Sequence, residues 1–524
     1  MTNTDPIESA TLTDGIRAGA LAWPGARVSF AGADLESTTS IALLHEAGRR
    51  LAGGLASIGV RPGDAVAMQL PNVAEAIVTT VAAAELGLTL VPIAHTYGPA
   101  ELRFVLEQSG AKVLVIARAW RSTAYPERVP PSDRPATLEH VIVVGGLAPD
   151  GYVSWHSVAD SDIDPPRVDP MPGDRALLLY TSGTTGEPKG VVHTQGTLAA
   201  EIAQMVRYND GAEGGVSLVA FPIGHMAGVL GAARAFHRDR HTIFMDTWDA
   251  KAAARLVAAH GVTSTAGTPF HMLSLLDAAD SAGSSLNSIR SFMLGATTVS
   301  PSLIRAVDAR GIKAFRCYGS TEQPTVSCGH PTDSLEDRAG TDGRLLPGVE
   351  VRIVDDDGNE QPFGVDGEIL SRGPDLTPGY TDPAFDAAAR TPDGWYRSGD
   401  IGVLDERGFL TITDRKKDLI IRGGENISSK EVEDVLVAHP AIREAAVVGI
   451  PDERYGERVC ALVVTSGEGV TPEMIRAHVA TAGLAIQKTP ESVVFVDDLP
   501  RTPSGKVQKH LLRKAIAEGE LRAG

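Results

Sequence analysis

The sequence has 524 residues, of which 43% are hydrophobic and 22% are charged, and its formal net charge is −18. The composition argues against a disordered chain, and at roughly 100–200 residues per domain the length allows about two to four domains. The negative charge argues against nucleic acid as a partner, because a phosphate backbone would be repelled. The 3 cysteines form no CxxC pair, which argues against a disulfide framework or a cysteine metal site and favours a reducing compartment.

Neither a secretion signal nor a membrane span is expected from the hydropathy pattern. Residues 1–19 contain no basic stretch followed by an apolar run, as a signal peptide would. A transmembrane helix needs about 18 or more apolar residues in a row, and the sequence contains no such segment. We therefore expect a cytoplasmic protein.

The first third of the sequence alternates between helix and strand patterns. These patterns predict helices over 42–58, 73–85 and 100–108, and strands over 65–70, 89–93 and 112–116. The apolar run at 176–179 predicts a further strand, and another helix–strand pattern covers 250–265. Such alternation is typical of parallel strands joined by helical crossovers.

From about residue 343 onward the pattern changes to short strands separated by Asp/Gly turns. Strands over 349–354, 367–370 and 409–413 predict a smaller, more antiparallel subdomain. A charged stretch at 414–418 follows. After it, the patterns predict helices over 429–438, 472–480 and 510–517, and strands over 444–448, 461–464 and 493–496. We expect these to form a compact α+β domain.

The strongest chemical signal is the segment YTSGTTGEPKG at residues 180–190, directly after the predicted strand at 176–179. Its glycines let the backbone approach a ligand, and its hydroxyls, amides and lysine can bind phosphate oxygens. A Walker A loop is excluded here, because Pro188 occupies the position of that loop's second glycine. No GxGxxG segment opens a strand–helix unit, so a dinucleotide site has no support.

Five further motifs follow along the chain. They are YGSTE (318–322), GEILSRG (367–373), YRSGDIG (396–402), DRKKDLIIRGGENI (414–427) and PRTPSGKVQK (500–509). Together with the phosphate segment, these motifs resemble the signatures of the adenylate-forming superfamily, in the same order. That superfamily includes acyl-CoA synthetases, nonribosomal peptide adenylation domains and beetle luciferases. The resemblance spans residues 40 to 512, approximately.

The resemblance implies a binding site for ATP and AMP. Its residues here are Thr181, Ser182, Gly183, Thr184, Thr185, Gly186, Lys189, Gly295, Ala296, Thr297, Tyr318, Gly319, Ser320, Thr321, Asp400, Arg415 and Lys506. Tyr318 offers a flat face for the adenine, opposite the turn at 295–297. Thr321 can donate to the α-phosphate. Asp400 is expected to accept hydrogen bonds from the ribose hydroxyls, and Arg415 to contact the ribose–phosphate region.

The resemblance assigns catalytic roles to four residues, which are Lys506, Glu322, Thr185 and His225. The expected reaction is attack of a carboxylate on the α-phosphorus of ATP, which gives an acyl-adenylate and expels pyrophosphate. Both reactants are anions, so cations must bridge them. Lys506 would stand between the carboxylate and the α-phosphate, and Glu322 would hold Mg²⁺, the expected metal.

In the second expected step, the thiol of coenzyme A attacks the acyl-adenylate. Family enzymes make room for the thiol by rotating the C-terminal domain about a hinge, which corresponds to Lys417 here. The rotation would bring in a glycine loop as the coenzyme A tunnel, at Gly423, Gly424 and Glu425. Paired glycines would let the narrow pantetheine arm pass close to the backbone.

The acyl group is expected to lie near the segment FPIGHMAG at residues 221–228. The acyl-pocket residues implied by the resemblance are His225, Met226, Gly228 and Gly295, with His225 near the substrate carboxylate. Amino-acid-activating relatives use an aspartate for the α-amino group, and this segment contains none. We therefore expect an apolar acid, of the medium-chain, branched, alicyclic or aromatic class.

The expected fold is α/β, with a large N-terminal domain of α/β layers and a small β subdomain over 1–414. A small mobile α+β domain over 415–524 would carry the catalytic lysine. The expected partners are a small carboxylic acid, ATP and coenzyme A, and a homodimer is a candidate assembly. The main alternative to a carboxylate–CoA ligase is an adenylation enzyme that loads a carrier-protein phosphopantetheine. A ligase that cannot use coenzyme A and a luciferase-like oxygenase are more distant alternatives.

Overall fold

The structure is a computed structural model that describes residues 6–32, 36–181, 188–208, 215–423, 425–467, 469–482, 484–502 and 505–521. Its strands in chain order are β1 (Arg27–Ala31), β2 (Glu36–Ser40), β3 (Ala65–Gln69), β4 (Thr89–Pro92), β5 (Val113–Ala117), β6 (His140–Val144), β7 (Val153–Ser154), β8 (Arg175–Thr181), β9 (Lys189–Thr194), β10 (Val216–Val219), β11 (His241–Met245), β12 (Ser264–Gly267), β13 (Ser291–Leu294), β14 (Lys313–Tyr318), β15 (Ser327–Cys328), β16 (Arg344–Leu345), β17 (Glu350–Val354), β18 (Gly367–Arg372), β19 (Gly379–Tyr380), β20 (Tyr396–Leu404), β21 (Leu410–Arg415), β22 (Ile420–Arg422), β23 (Glu425–Ile427), β24 (Ile442–Asp452), β25 (Gly456–Thr465) and β26 (Ser492–Phe495).

The α-helices follow the same chain order. They are α1 (Leu12–Ala22), α2 (Ile41–Ser57), α3 (Ala74–Glu85), α4 (Pro99–Ser109), α5 (Trp155–Ala159), α6 (Gln195–Tyr208), α7 (Met226–Arg234), α8 (Ala250–His260), α9 (Pro269–Ala282), α10 (Pro301–Asp308), α11 (Leu335–Gly340), α12 (Ala384–Ala389), α13 (Ser429–Val437), α14 (Pro472–Thr481) and α15 (Lys509–Ala517). Local capping sets several of the boundaries. For example, α8 begins after Asp249, whose side chain accepts a hydrogen bond from the Ala252 amide, and it ends at Gly261 in the left-handed conformation.

Two mainly parallel sheets form the larger part of the molecule. Over the described ranges, one sheet has 8 strands in the order β19–β9–β8–β4–β3–β5–β6–β7, and the other has 9 strands in the order β16–β15–β14–β13–β12–β10–β11–β1–β2. Strands β3 and β5 are buried along their whole length. This burial explains their continuous apolar sequence, because helices cover both faces of a parallel sheet.

The predicted antiparallel subdomain is present as a sheet in the order β17–β18–β20–β21. Its neighbouring strands pair antiparallel throughout. The register between β20 and β21 sets Asp400 opposite Arg415. Two motifs that are distant in sequence are thereby joined at one end of this sheet.

The C-terminal part is a sheet of β22 to β26 covered by helices on both faces. Val432 and Leu436 of α13 pack on one face with Val447 of β24. Leu512 of α15 packs on the other face with Val448, the next residue of the same strand. Successive side chains of a strand point to opposite faces, so β24 joins two small cores.

The predicted α/β fold, with a large N-terminal part and a smaller C-terminal part, is confirmed. The exact domain boundary between residues 414 and 415 stays a prediction. In the described part of the chain, no helix is both long and apolar enough to cross a membrane.

Candidate active site

The turn at 295–297 and Tyr318 lie side by side at the carboxyl edge of the nine-stranded sheet. Strands β13 and β14 pair in parallel, and Gly295 and Tyr318 stand at their carboxyl ends. A Cβ atom built on Gly295 would lie 2.8 Å from the backbone oxygen of Cys317, so a side chain there would collide with β14. Ala296 has a φ of 64°, which is uncommon for a non-glycine residue. This edge is where α/β sheets commonly bind ligands.

A tight turn follows Tyr318. A Cβ atom on Gly319 would lie 2.0 Å from the backbone oxygen of Pro324, so the turn requires glycine. The amide of Ser320 donates to the Gln323 carbonyl at 2.8 Å, and the Ser320 hydroxyl accepts from the Gln323 amide at 3.2 Å. The carbonyl of Thr321 accepts a hydrogen bond from Nε2 of His193 at 2.7 Å. The conformation of the YGSTE motif is therefore fixed by the surrounding chain.

Asp400 connects the tyrosine of that turn to the antiparallel subdomain. The Tyr318 hydroxyl donates to Oδ2 of Asp400 at 2.8 Å, and Nε of Arg415 lies 3.0 Å from Oδ1. Burial, and then the charge of Asp400, raise the pKa of Tyr318 well above its usual value, so the hydroxyl stays protonated. A carboxylate has about four acceptor positions. Asp400 therefore has capacity left for further hydroxyl donors.

Lys506 approaches this cluster from the C-terminal part of the chain. It lies on a small hairpin in which Arg501 pairs with Val507, and its own amide donates to the Thr502 hydroxyl at 3.1 Å. Burial first, and then the positive charges of Arg415 and Lys417, lower the pKa of Lys506 to about 7. Burial and neighbouring cations both disfavour the charged form of a lysine. A lysine with so low a pKa is typical of functional sites.

Glu322 has one carboxylate oxygen occupied by a neighbouring tyrosine. The hydroxyl of Tyr380 donates to Oε1 at 2.8 Å. The described residues contain no group of three His, Cys, Asp or Glu side chains that could hold a metal by themselves. Magnesium is usually bound through one or two carboxylates together with substrate phosphates. Glu322, oriented by Tyr380, can supply one such carboxylate.

Part of the segment predicted to bind phosphate lies within the described residues. Thr181 ends β8 and pairs with Lys189, the first residue of β9. The ammonium group of Lys189 lies 4.5 Å from the centre of the Phe385 ring. The residues between them that the sequence assigns to ATP lie outside the described residues, namely Ser182, Gly183, Thr184, Thr185 and Gly186. Gly424 of the coenzyme A motif also lies outside them.

The expected acyl-pocket segment forms the start of α7. His225 is the N-cap residue of this helix and Met226 is its first, buried residue. A Cβ atom on Gly228 would lie 2.1 Å from the backbone oxygen of Pro222, so the turn before the helix closes tightly. Nε2 of His225 is buried and has no hydrogen-bond partner among the described residues. Burial lowers the pKa of His225, so the ring is neutral near pH 7.

A second buried histidine lies close to His225. Burial, and then the charge of His225, lower the pKa of His95 to about 4. The His95 ring packs edge-on against Trp120, with 4.9 Å between ring centres. Arg128 also donates to the His95 carbonyl at 2.9 Å, and the charges of Arg121 and Arg128 contribute to the lowered pKa of His95. Sequence reasoning missed His95, because it belongs to no recognised motif.

The residues expected at the coenzyme A tunnel and the hinge lie in the β22–β23 hairpin and in the turn before it. Gly423 has a φ of 61° and donates its amide to the Tyr455 carbonyl at 2.7 Å. Glu425 pairs with Arg422 in the exposed hairpin of β22 and β23. Lys417 lies in the turn between β21 and β22, where the amides of the next two residues donate to the Arg415 carbonyl.

Sequence reasoning also missed the buried side chains that support the YGSTE turn. His193 is fully buried, and burial lowers its pKa to about 4, so it is neutral and donates from Nε2 to the turn. Gln323 donates to Asp375 at 3.1 Å and accepts from Ser371 at 2.7 Å. The polar residue Gln323 directly after the motif was the available signal, although its partners are distant in sequence.

Comparison with known families identifies the chain. Residues 18–381 match the family model described as AMP-binding enzyme, and residues 431–506 match the AMP-binding enzyme C-terminal domain. Among solved structures, a fatty acyl CoA synthetase from Mycobacterium tuberculosis has a TM-score of 0.75 and 28% identity, covering 98% of this chain and 100% of that one. ATP-bound MatB from Rhodopseudomonas palustris has a TM-score of 0.84 and 29% identity, covering 97% and 99%.

Two curated relatives are also similar over nearly their whole length. The medium-chain fatty-acid–CoA ligase of Escherichia coli is 36% identical over 482 residues, which cover 90% of this chain and 85% of that protein. The indoleacetate–CoA ligase of Aromatoleum aromaticum is 34% identical over 493 residues, which cover 92% and 94%. The chain belongs to the adenylate-forming family of AMP-binding enzymes, in its acyl-CoA synthetase branch.

Proposed function

We propose that the chain is an AMP-forming carboxylate–CoA ligase that acts on an apolar acid. The observation that carries this proposal is the convergence of Lys506 with Tyr318, Asp400 and Arg415 from three separate motifs. The charges of the Asp400–Arg415 pair thereby act on a lysine of the C-terminal hairpin. Such a site suits a nucleotide that has to be held at its ribose and bridged at its phosphate.

In the first half-reaction, a carboxylate oxygen of the acid bonds to the α-phosphorus of ATP, and the bond from that phosphorus to the bridging oxygen of pyrophosphate breaks. Tyr318 and the 295–297 turn hold the adenine, and Asp400 accepts from the ribose hydroxyls. Lys506 bridges the attacking carboxylate and the α-phosphate. Its low pKa rises again when these anions bind, because opposite charges favour the protonated amine. Most of the rate gain comes from positioning and charge stabilisation.

Magnesium belongs to the same step. Glu322 would hold the ion through the carboxylate oxygen that Tyr380 leaves free, and the triphosphate would supply further oxygens. When bound, the ion neutralises charge on the phosphates. Thr181 and Lys189 flank the loop that we assign to the phosphates, together with Thr185 within it.

In the second half-reaction, the sulfur of coenzyme A bonds to the acyl carbon, the thiol proton is released and AMP leaves. Lys506 occupies the approach to that carbon in the first step, so it has to withdraw. We assign the withdrawal to rotation of a domain over 415–524 about Lys417. Gly423, Gly424 and Glu425 would then line the path of the pantetheine arm. The exposed position of the β22–β23 hairpin supports this assignment.

We assign the acid to the surroundings of His225, in the 221–228 segment that contains no aspartate. His225 and the neighbouring His95 are both neutral near pH 7, and Met226 is buried at the start of α7. Two neutral histidines and the lack of an aspartate in the 221–228 segment favour an apolar acid over an amino acid. The two curated relatives described above are named for a medium-chain fatty acid and for indoleacetate. We therefore propose a medium-chain, branched, alicyclic or aromatic acid, with cytoplasmic activity.

The experiment that tests this proposal is a panel of acids in two assays. ATP–pyrophosphate exchange measures adenylate formation, and coenzyme A-dependent AMP release measures the complete reaction. Lys506→Ala should lose exchange by about 10²–10³-fold and still form the thioester from supplied acyl-adenylate. Near-normal exchange in Lys506→Ala would reject the role of Lys506. Transfer to a carrier protein but not to coenzyme A would favour the carrier-loading alternative.

A further inference from the structure

A buried histidine outside the family motifs lies directly below the Lys506 hairpin. His271 is in the first turn of α9 and only 1% of its surface is exposed. Its Nδ1 accepts a hydrogen bond from the Thr268 amide at 3.2 Å and lies 2.8 Å from the Thr268 hydroxyl. An amide can only donate, so Nδ1 carries no proton and the neutral ring is protonated at Nε2.

One side of the His271 ring faces the region assigned to the acid. The ring centre lies 5.6 Å from that of Phe221, at the start of the FPIGHMAG segment. It lies 4.7 Å from the ring centre of Trp248, in an edge-on arrangement. His271 therefore packs against two aromatic side chains, one of which begins the segment that contains His225.

The other side of His271 faces the loop that carries Lys506. A Cβ atom built on Gly505 would lie 3.3 Å from Cε1 of His271 and 2.7 Å from the Thr268 hydroxyl. The loop therefore rests on Thr268 and His271 with no space for a side chain. Gly505 has a φ of 83°, which also favours glycine.

A second contact holds the same hairpin against α9. The guanidinium of Arg501 lies 5.3 Å from the ring centre of Phe270, the residue before His271. Glu444 forms an ion pair with Arg501 and so orients it toward that ring. Arg501 at the start of the hairpin and Gly505, the residue before Lys506, thus both meet the start of α9.

We propose that His271 is a positioning residue that connects the acyl pocket to the Lys506 hairpin. When the acid packs near Phe221 and Trp248, it holds the His271 ring in the position in which Gly505 packs against that ring. Lys506 is then in place for adenylate formation. In thioester formation the hairpin has left, so His271 has no such role. This inference rests on the proposed function of Lys506.

The test compares His271→Asn with wild type in the full-length enzyme. Asparagine retains an acceptor near the Nδ1 position, so it can still accept from the Thr268 amide, but it lacks the ring edge that contacts Gly505. We expect ATP–pyrophosphate exchange to fall at least about tenfold, with thioester formation from supplied acyl-adenylate within about twofold of wild type. The KM for the acid should rise at least about threefold, with the KM for ATP little changed.

Two companion variants keep the result interpretable. His140→Gln alters a half-buried histidine that bonds the Ile58 carbonyl at 3.1 Å, far along the chain, and should leave both half-reactions unchanged. Gly505→Ala alters the contact between Gly505 and His271 on the hairpin side. It should show the same loss of exchange, with thioester formation retained. It serves as the deciding variant if His271→Asn fails to fold.

Unchanged exchange, or an equal loss of both half-reactions, would overturn the proposal, and an unchanged KM for the acid would overturn the connection to the acyl pocket. Lys506→Ala separates this inference from the proposed function. If Lys506→Ala loses exchange while His271→Asn and Gly505→Ala retain it, only the role of His271 is rejected. If Lys506→Ala itself retains exchange, the assignment of the hairpin lysine fails first.

Discussion

The Asp400 carboxylate and the Arg415 guanidinium face each other across two antiparallel strands, with Oδ1 3.0 Å from Nε. The strand register sets these residues opposite each other, although their motifs are separate in the sequence. The pair is joined to Tyr318 through the second carboxylate oxygen. The residues that we propose for ribose, phosphate and adenine are therefore linked by direct contacts, so a change at one of them should alter ATP binding as a whole.

Asp400→Asn should weaken ATP binding much more than binding of the acid. The change removes the negative charge that pairs with Arg415. In our proposal, the same carboxylate accepts hydrogen bonds from the ribose hydroxyls. Because a hydrogen bond to a charged group contributes about 1.5–3 kcal/mol, the KM for ATP should rise about tenfold or more. Asp393→Asn is the control, since Asp393 is exposed and pairs with Arg352 at the surface. A raised KM for the acid with an unchanged KM for ATP would show that the role of Asp400 is wrong.

Adenylate formation should decline as the pH rises through the pKa of Lys506. Only the protonated amine can bridge two anions, and burial lowers its pKa from the ordinary value of 10.5 to about 7. The active form of the free enzyme is thus present below pH 7 and lost above it. The measurement is kcat/KM for ATP against pH, which reports on groups of the free enzyme.

Lys506→Arg is the matched variant for this pH profile. Its guanidinium keeps its charge throughout the accessible pH range, so the alkaline decline should disappear even though the maximal rate is lower. If Lys506→Arg declines over the same pH interval as wild type, another group is responsible for the profile.

Glu322→Gln should raise the Mg²⁺ concentration needed for half-maximal pyrophosphate exchange. Glutamine has the same shape and can still accept from Tyr380, but it lacks the negative charge that a hard cation prefers. Glu406→Gln, at an exposed position, is the control and should behave like wild type. An unaltered Mg²⁺ requirement in Glu322→Gln would place the metal elsewhere.

Lys417→Pro should separate the two half-reactions. Proline fixes φ near −65°, and a hinge residue has to change its backbone angles. If the adenylating orientation is retained, pyrophosphate exchange continues and coenzyme A-dependent turnover is lost. Lys417→Ala removes the charge without restricting φ and should keep both activities. A proportional loss of both half-reactions in Lys417→Pro, with a lowered melting temperature, would indicate simple destabilisation.

The helices and strands predicted from local sequence patterns are observed, and they make up fewer than half of the elements of the fold. The helix expected over 42–58 is observed at Ile41–Ser57, and the strand expected over 65–70 is observed at Ala65–Gln69. Apolar periodicity was enough for these elements, because burial decides both their type and their position. The strand order of the sheets could not be derived in this way, since it depends on contacts between distant segments.

The candidate site was only partly predictable for the same reason. The motifs contain Tyr318, Asp400 and Lys506, and the structure brings these together. His95 and His271 lie in segments without a motif, and a single histidine is more often structural than functional. The aromatic rings that pack against them are distant in the sequence, so only the structure shows these contacts.

The most direct test of a carboxylate–CoA ligase is the stoichiometry of its products. The wild-type enzyme is incubated with ATP, Mg²⁺, coenzyme A and each acid of the panel, and nucleotides, pyrophosphate and thioester are quantified together. We expect equal amounts of AMP, pyrophosphate and acyl-CoA, and no AMP release without an acid. Formation of ADP and phosphate in step with the thioester would contradict adenylate formation and the roles proposed for the site.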